Sequence, residues 1–334
     1  MNRFLALVVS TLLAATPGVA LAWGNMGHRM VGEAAVRALP ADLPAFLRTP
    51  QAAKDVGELS REPDRSKHAG RLHDADRDPG HFLDLSDDGT ILGGPTLQTL
   101  PPTREEYDTA LRAVGTDSWK AGYLPYSIVD RWQQLSIDFA YWRVLRAAQA
   151  DPRFRAHRAW FAADRRRREA QILQDLGELS HFVGDGSQPL HMSVHYNGWG
   201  DFPNPAGYTQ AKIHAPFEGE LVRGVRPADV ASRMAPLRVC RCAIERRTAD
   251  YLAGTGRLVI PLFDLEKAGG IVPGDARGLA FAADQLARGA SELRDLVVEA
   301  WNTSPERVIG WKPVVARELM AGGSDPFGVL YGSD

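Results

Sequence analysis

AQILQDLGELSHFVGDGSQPLHMSVHYNGWGD, residues 170–201, sets the fold class and raises the chemical question. Its apolar residues recur at three- and four-residue intervals over 169–185, the period of a helix with one buried face. Gly186 and Pro189 then stop that helix. His181 and Asp185 stand four apart near its end and share one helix face. His191, His195 and Asp201 follow at once, so three of the chain's nine histidines fall within fifteen positions. His181 alone would fit a histidine placed at the negative end of a helix. Together with Asp185 and His191, it fits a nitrogen–oxygen metal site.

Outward from this stretch the chain keeps its helical period, over 28–38, 126–149, 227–252 and 277–301. Alternating strand patterns are scarce. Long Gly-, Pro- and Asp-rich connections cover 61–105 and 192–216, and loops of that length in a compact domain are usually functional. The reading is all-α, with one mostly helical domain over 23–334. Residues 1–22 have the pattern of a secretory signal peptide: Arg3, an apolar run Phe4–Leu13, then Ala20-Leu21-Ala22 before Trp23. Export to the periplasm or the extracellular space is therefore expected, with no transmembrane segment in the mature chain, which is expected to be a monomer.

A net charge of −2 excludes binding of a polyanion by bulk charge, so any such binding needs a local patch or metal ions. The Arg-rich segment 151–169 is either a solvated helix face or an anion-facing patch. Cys240 and Cys242 are too close for an unstrained bond, so no disulfide framework is expected and both are read as small buried hydrophobes or an oxidisable pair. There is no Gly-rich phosphate loop, dinucleotide fingerprint or Cys-x-x-Cys pair.

Further candidate ligands lie elsewhere in the chain. Asp64 sits in Glu62-Pro63-Asp64-Arg65, and His81 in Gly80-His81-Phe82-Leu83-Asp84. His214 and Glu218 form a second i, i+4 pair. His28 follows Trp23 by five residues, and an α-amine freed at Trp23 could bind zinc along with its own carbonyl. His68, His73 and His157 read as ordinary histidines.

In this order the motifs resemble the superfamily of zinc-dependent phospholipases C and single-strand-specific zinc nucleases. The shared elements are a Trp at the new terminus, a Gly-His, a Pro-Asp, a His-Phe-x-Asp, the segment His-Phe-x-Gly-Asp-x-x-Gln-Pro-x-His, and a His-x-x-x-acid, spanning Trp23 to Glu218. The resemblance implies three zinc ions. Asp64, His81, His181 and Asp185 would hold the first, and His191, His214 and Glu218 the second. Trp23 and His28 would hold the third, which Asp185 would join to the first. It also implies hydrolysis of a phosphodiester by zinc-activated water. Asp84 would orient the water, and Lys67 is the candidate lysine facing the phosphate. His195 and Asp201 match no ligand position.

Substrate evidence is divided. The Trp23–His28 spacing, the long gap from His191 to His214 and the His81–Asp84 pair resemble the nucleases. Glu218 and the segment Tyr126-Ser127-Ile128-Val129-Asp130 resemble the phospholipases, and the nuclease disulfides are absent. Tyr196, Trp199, Phe202 and Tyr208 could stack bases, meet lipid or simply pack the loop. The balance favours a nuclease of single-stranded DNA or RNA, with phospholipase C as the alternative. An exported zinc-binding protein without catalysis is a third possibility.

Overall fold

A computed structural model describes residues 23–332, most of which are helical. The leader expected at 1–22 lies outside the described residues. The N-terminal half holds α1 (Gly24–Arg37), α2 (Pro50–Leu59), the short α3 (Glu62–Arg65), α4 (Arg71–Arg77), α5 (Arg104–Arg112) and α6 (Ser118–Ala121). The long α7 (Leu124–Ala150) and α8 (Arg158–Asp185) follow. After an irregular loop come α9 (Pro227–Arg233), α10 (Ile244–Gly256), α11 (Val259–Lys267) and the long α12 (Ala276–Thr303). A two-stranded hairpin, β1 (Val308–Ile309) with β2 (Val314–Val315), precedes the short α13 (Ala316–Met320) and α14 (Pro326–Leu330). No helix among the described residues is long and apolar enough to cross a membrane.

Local chemistry explains the helix ends. Pro125 opens α7 where its missing N–H costs nothing, and Asp151, made extended by Pro152, closes it. Asp275 caps α12 by accepting from the N–H groups of Arg277 and Gly278 at 2.9 and 3.2 Å. α7 lies along α8, and α12 packs on both. Between them Phe139, Trp142 and Trp301 meet edge to face, and the Trp132 indole donates to the Leu296 carbonyl at 2.9 Å. α1 is wedged against α2, α8 and α12.

One glycine sets the site's position. A Cβ on Gly177 of α8 would stand 2.5 Å from the Leu59 Cβ. Only glycine lets α2 end this close to α8, one turn before His181.

The run 227–252, expected as one helix, is broken. α9 ends at Arg233, and 234–243 runs as an irregular strap over α12. Pro236 explains the break, since it donates no hydrogen bond and biases Ala235 away from helix. Side chains of α12 replace the lost backbone bonds. Ser291 takes the Ala235 N–H at 3.0 Å, Asp295 that of Arg238 at 3.1 Å, and Glu299 that of Cys240. The strap also corrects the cysteine expectation: Cys240 and Cys242 are bonded to each other and exposed, not buried hydrophobes. Arg241 adopts a left-handed φ of 54°, which turns the chain back and leaves the two Cα atoms 5.2 Å apart, within disulfide reach.

Candidate metal centre

The centre is built at the C-terminal end of α8, where His181 and Asp185 are both fully buried. His181 Nδ1 stands 2.8 Å from the Ser60 carbonyl, which follows Leu59 at the Gly177 contact. A carbonyl only accepts, so Nδ1 carries the proton and Nε2 faces inward. That Nε2 lies 2.8 Å from His81 Nδ1 and 3.2 Å from Asp185 Oδ2. His81 Nδ1 is 3.1 Å from the same Oδ2, and Asp64 Oδ1 stands 4.0 Å from both ring nitrogens. With bonds of about 2.0–2.1 Å, tetrahedral zinc holds its nitrogen and oxygen ligands roughly 3.3 Å apart. Asp64, His81 and His181 thus form one group that could hold a metal ion, with Asp185 Oδ2 close to both of its histidines and Asp64 somewhat farther out.

The second group forms the same way. His191 Nδ1 donates to the His81 carbonyl at 2.7 Å and His214 Nδ1 to the Tyr196 carbonyl at 2.7 Å, so both Nε2 atoms face inward. These Nε2 atoms lie 3.2 Å apart, and His191 Nε2 is 3.2 Å from Glu218 Oε1. Glu218 sits in a π-helical turn, Pro216–Leu221. Backbone bonds lock the first two groups together. Leu83 N–H donates to the His191 carbonyl at 2.8 Å, while Asp84 N–H reaches Ala121 at 2.9 Å.

His28 completes a third group with His181 and Asp185. Its ring stacks on that of His181 at 4.0 Å, and its Nε2 stands 3.4 Å from Asp185 Oδ1. Asp185 thus aims one oxygen at the first group and the other at His28. Gly184 gives the His28 ring room, since a Cβ there would stand 3.0 Å from His28 Nδ1. The Trp23 side chain is buried, its indole donating to the Gly184 carbonyl at 2.7 Å. The Trp23 carbonyl accepts the Gly27 N–H at 3.1 Å.

Unpartnered buried atoms test whether a cation fits. Both ring nitrogens of His28, Asp185 Oδ1 and Glu218 Oε2 are buried without a hydrogen bond. Such atoms are costly unless something binds them. Protonation states suit a cation too. Burial pushes His28 down to about 3 and His81 to about 4, keeping both neutral. Burial alone would raise Asp185, Asp64 and Glu218, yet neighbouring histidines hold all three below their ordinary values, so they stay anionic. Burial would likewise lower His191, but the hydrogen bond to Glu218 raises it to about 9.

Of the two residues expected to act on substrate, Lys67 reaches Asp64 Oδ1 at 2.6 Å, pairing with a candidate ligand. Asp84 is half-buried and joins none of the three ligand groups; burial pushes its carboxyl up to about 7, against the opposing charge of His191. His195 stands outside the groups, bonded to Asp87 at 2.9 Å and stacked on Trp199 at 3.7 Å. Asp201 is exposed. The loop aromatics divide: Trp199 and Tyr208 pack on Phe263, while Tyr196 and Phe202 face solvent. A cavity of about 780 Å³ touches only His81 among the candidate ligands.

The sequence reading assigned no role to Gln188. This fully buried side chain donates to Glu218 Oε1 at 2.6 Å and accepts the Leu190 N–H at 2.7 Å. Its position before Pro189 was the available signal. No protein-family model matches the chain, and no curated protein matches it either.

Proposed function

We propose that this chain is a zinc-dependent phosphodiester hydrolase of the phospholipase C and single-strand nuclease type, and that its substrate is single-stranded DNA or RNA. The observation that carries this reading is Asp185, whose two oxygens are divided between two groups of inward-facing ligands. One carboxylate shared in this way suits adjacent cations, the arrangement used on phosphate esters.

Zinc bound there would supply Lewis acidity at phosphate and water of lowered pKa. Asp64, His81, His181 and Asp185 would hold one ion, and His191, His214 and Glu218 a second. His28 and Asp185, with the amine and carbonyl of Trp23 after cleavage, would hold a third. Ser60, Tyr196 and the His81 carbonyl fix the imidazole tautomers, and Gln188 orients Glu218. Asp84, whose carboxyl burial pushes up, would hold and aim the attacking water. Lys67 steadies Asp64 and offers its charge to the phosphate. Tyr196, exposed beside His214, favours nucleic acid because it can stack a base.

The test incubates the chain beginning at Trp23 with single-stranded DNA, RNA and phosphatidylcholine, with and without chelator. Chelator-sensitive release of nucleotides is expected. Lipid cleavage alone would make it a phospholipase C. Bound zinc with no hydrolysis would make it a binding protein, and chelator-resistant cleavage would remove the metal mechanism.

A further inference from the structure

The Arg-rich segment has no part in the metal centre. Four of its arginines are paired: Arg153 with Asp151, Arg165 with Glu169, Arg167 with Asp164 and Arg168 with Asp138. Arg155 and Arg158 are exposed and, among the described residues, meet no carboxylate.

Between them lies His157, which stacks on Phe327 of α14 at 3.6 Å. Phe327 stacks on Tyr331 at 4.8 Å, and Trp160 closes on Tyr331 edge to face at 5.6 Å. Tyr331 precedes Gly332, where a Cβ would stand 3.5 Å from Trp311. Trp311 and Lys312 occupy the turn of the β1–β2 hairpin. Trp311 is 84% exposed and Tyr331 59%. An aromatic cluster of His157, Phe327, Tyr331 and Trp160 therefore lies between Arg155 and Arg158 on one side and, across Gly332, the exposed Trp311 with its neighbour Lys312 on the other.

We propose that this face docks the protein on an anionic lipid bilayer. Tryptophan and tyrosine favour the water–hydrocarbon boundary, where the ring is buried and the polar edge stays wet. Unpaired Arg155, Arg158 and Lys312 match the negative headgroups. A projecting hairpin tip suits a flat surface, whereas single strands are held in grooves that track the backbone. The cluster packs at the N-terminal end of α8, and from Trp160 to His181 the helix runs about 30 Å at 1.5 Å per residue. Docking would leave the metal centre clear of the bilayer.

The experiment sediments the whole chain with vesicles of phosphatidylcholine alone, or with a third of phosphatidylglycerol. Binding is expected only to the anionic vesicles and is lost in high salt. R155E/R158E should weaken it by roughly fivefold or more per arginine, and W311A by about tenfold, with W311F restoring much of the loss. These residues lie outside the metal centre, so melting temperature and metal content should stay at parent values. Equal binding to both vesicles, or variants that bind like the parent, would overturn the proposal. An oligonucleotide that displaces the vesicles and needs the same residues would instead make the face a nucleic-acid surface.

Discussion

Among the described residues, two buried clusters of carboxylates differ in their counter-charge: one is paired by arginines, the other mainly by imidazoles. Between α10 and α12, Arg247 binds Glu292 at 2.6 Å and Glu299 at 2.8 Å, and Arg294 binds Asp295 at 2.6 Å. Every carboxylate there meets a guanidinium, and two of the strap's N–H groups add to oxygens that Arg247 also reaches. Around Asp185 the carboxylates meet imidazoles whose other nitrogens mostly face carbonyls. Buried atoms there stay without partners. Guanidinium groups close the first cluster, whereas the second sets imidazoles against its carboxylates, with Lys67 on Asp64. The nature of the counter-charge, more than burial or acidity, separates a structural network from a candidate site.

The sharpest way to break this comparison is Asp185→Asn. It should leave the fold intact, empty at least two of the zinc positions by elemental analysis, and cut hydrolysis by at least about 10³-fold. Full zinc content in that variant would end the shared-carboxylate reading. Arg247→Met should do the opposite. Unpaired buried carboxylates should cost about 3–5 kcal/mol in denaturant unfolding, with zinc per folded chain unchanged. Loss of zinc there would show the clusters to be one. Gln188→Ala should weaken zinc affinity about 10–100-fold by freeing Glu218 to turn, as read by competition with a chelating dye.

The smallest effect concerns pH. Burial, then the hydrogen bond to Asp138 and its charge, raises the Asp175 carboxyl to about 8. The folded chain therefore holds a proton that the unfolded chain releases near pH 4. This contribution to stability is complete below about pH 4 and is lost as pH rises through 8. Asp175→Asn should flatten that decline. Its melting temperature relative to the parent should rise between pH 6 and pH 9 by about 2 °C or more.

Parts of this were legible in the sequence because they are local. The periods over 126–149 and 277–301 mark α7 and α12, since one buried face imposes its spacing on the chain. His181 with Asp185 and His214 with Glu218 announce themselves by helical spacing. Asp64 and His81 have no such partner nearby; they stood as a carboxylate at a turn and a histidine beside acidic residues until the resemblance grouped them. Gln188 escaped because an amide does not ionise and its partner lies thirty residues away. The strap escaped because its backbone bonds come from α12, which apolar periodicity does not encode. The disulfide escaped because the left-handed turn at Arg241 is not a glycine position.

The π-helical turn Pro216–Leu221 acts as a spacer that counts residues. It carries one residue more than an α turn would, and such widened turns often occur at functional positions. Phe217 and Leu221 are buried on the core and cannot slide. The extra residue is therefore absorbed between two anchors, where Glu218 turns toward His191. Removing one residue, Gly219 for instance, would leave composition and ligand set intact but shift the phase of the turn. Length in this stretch is constrained as tightly as identity.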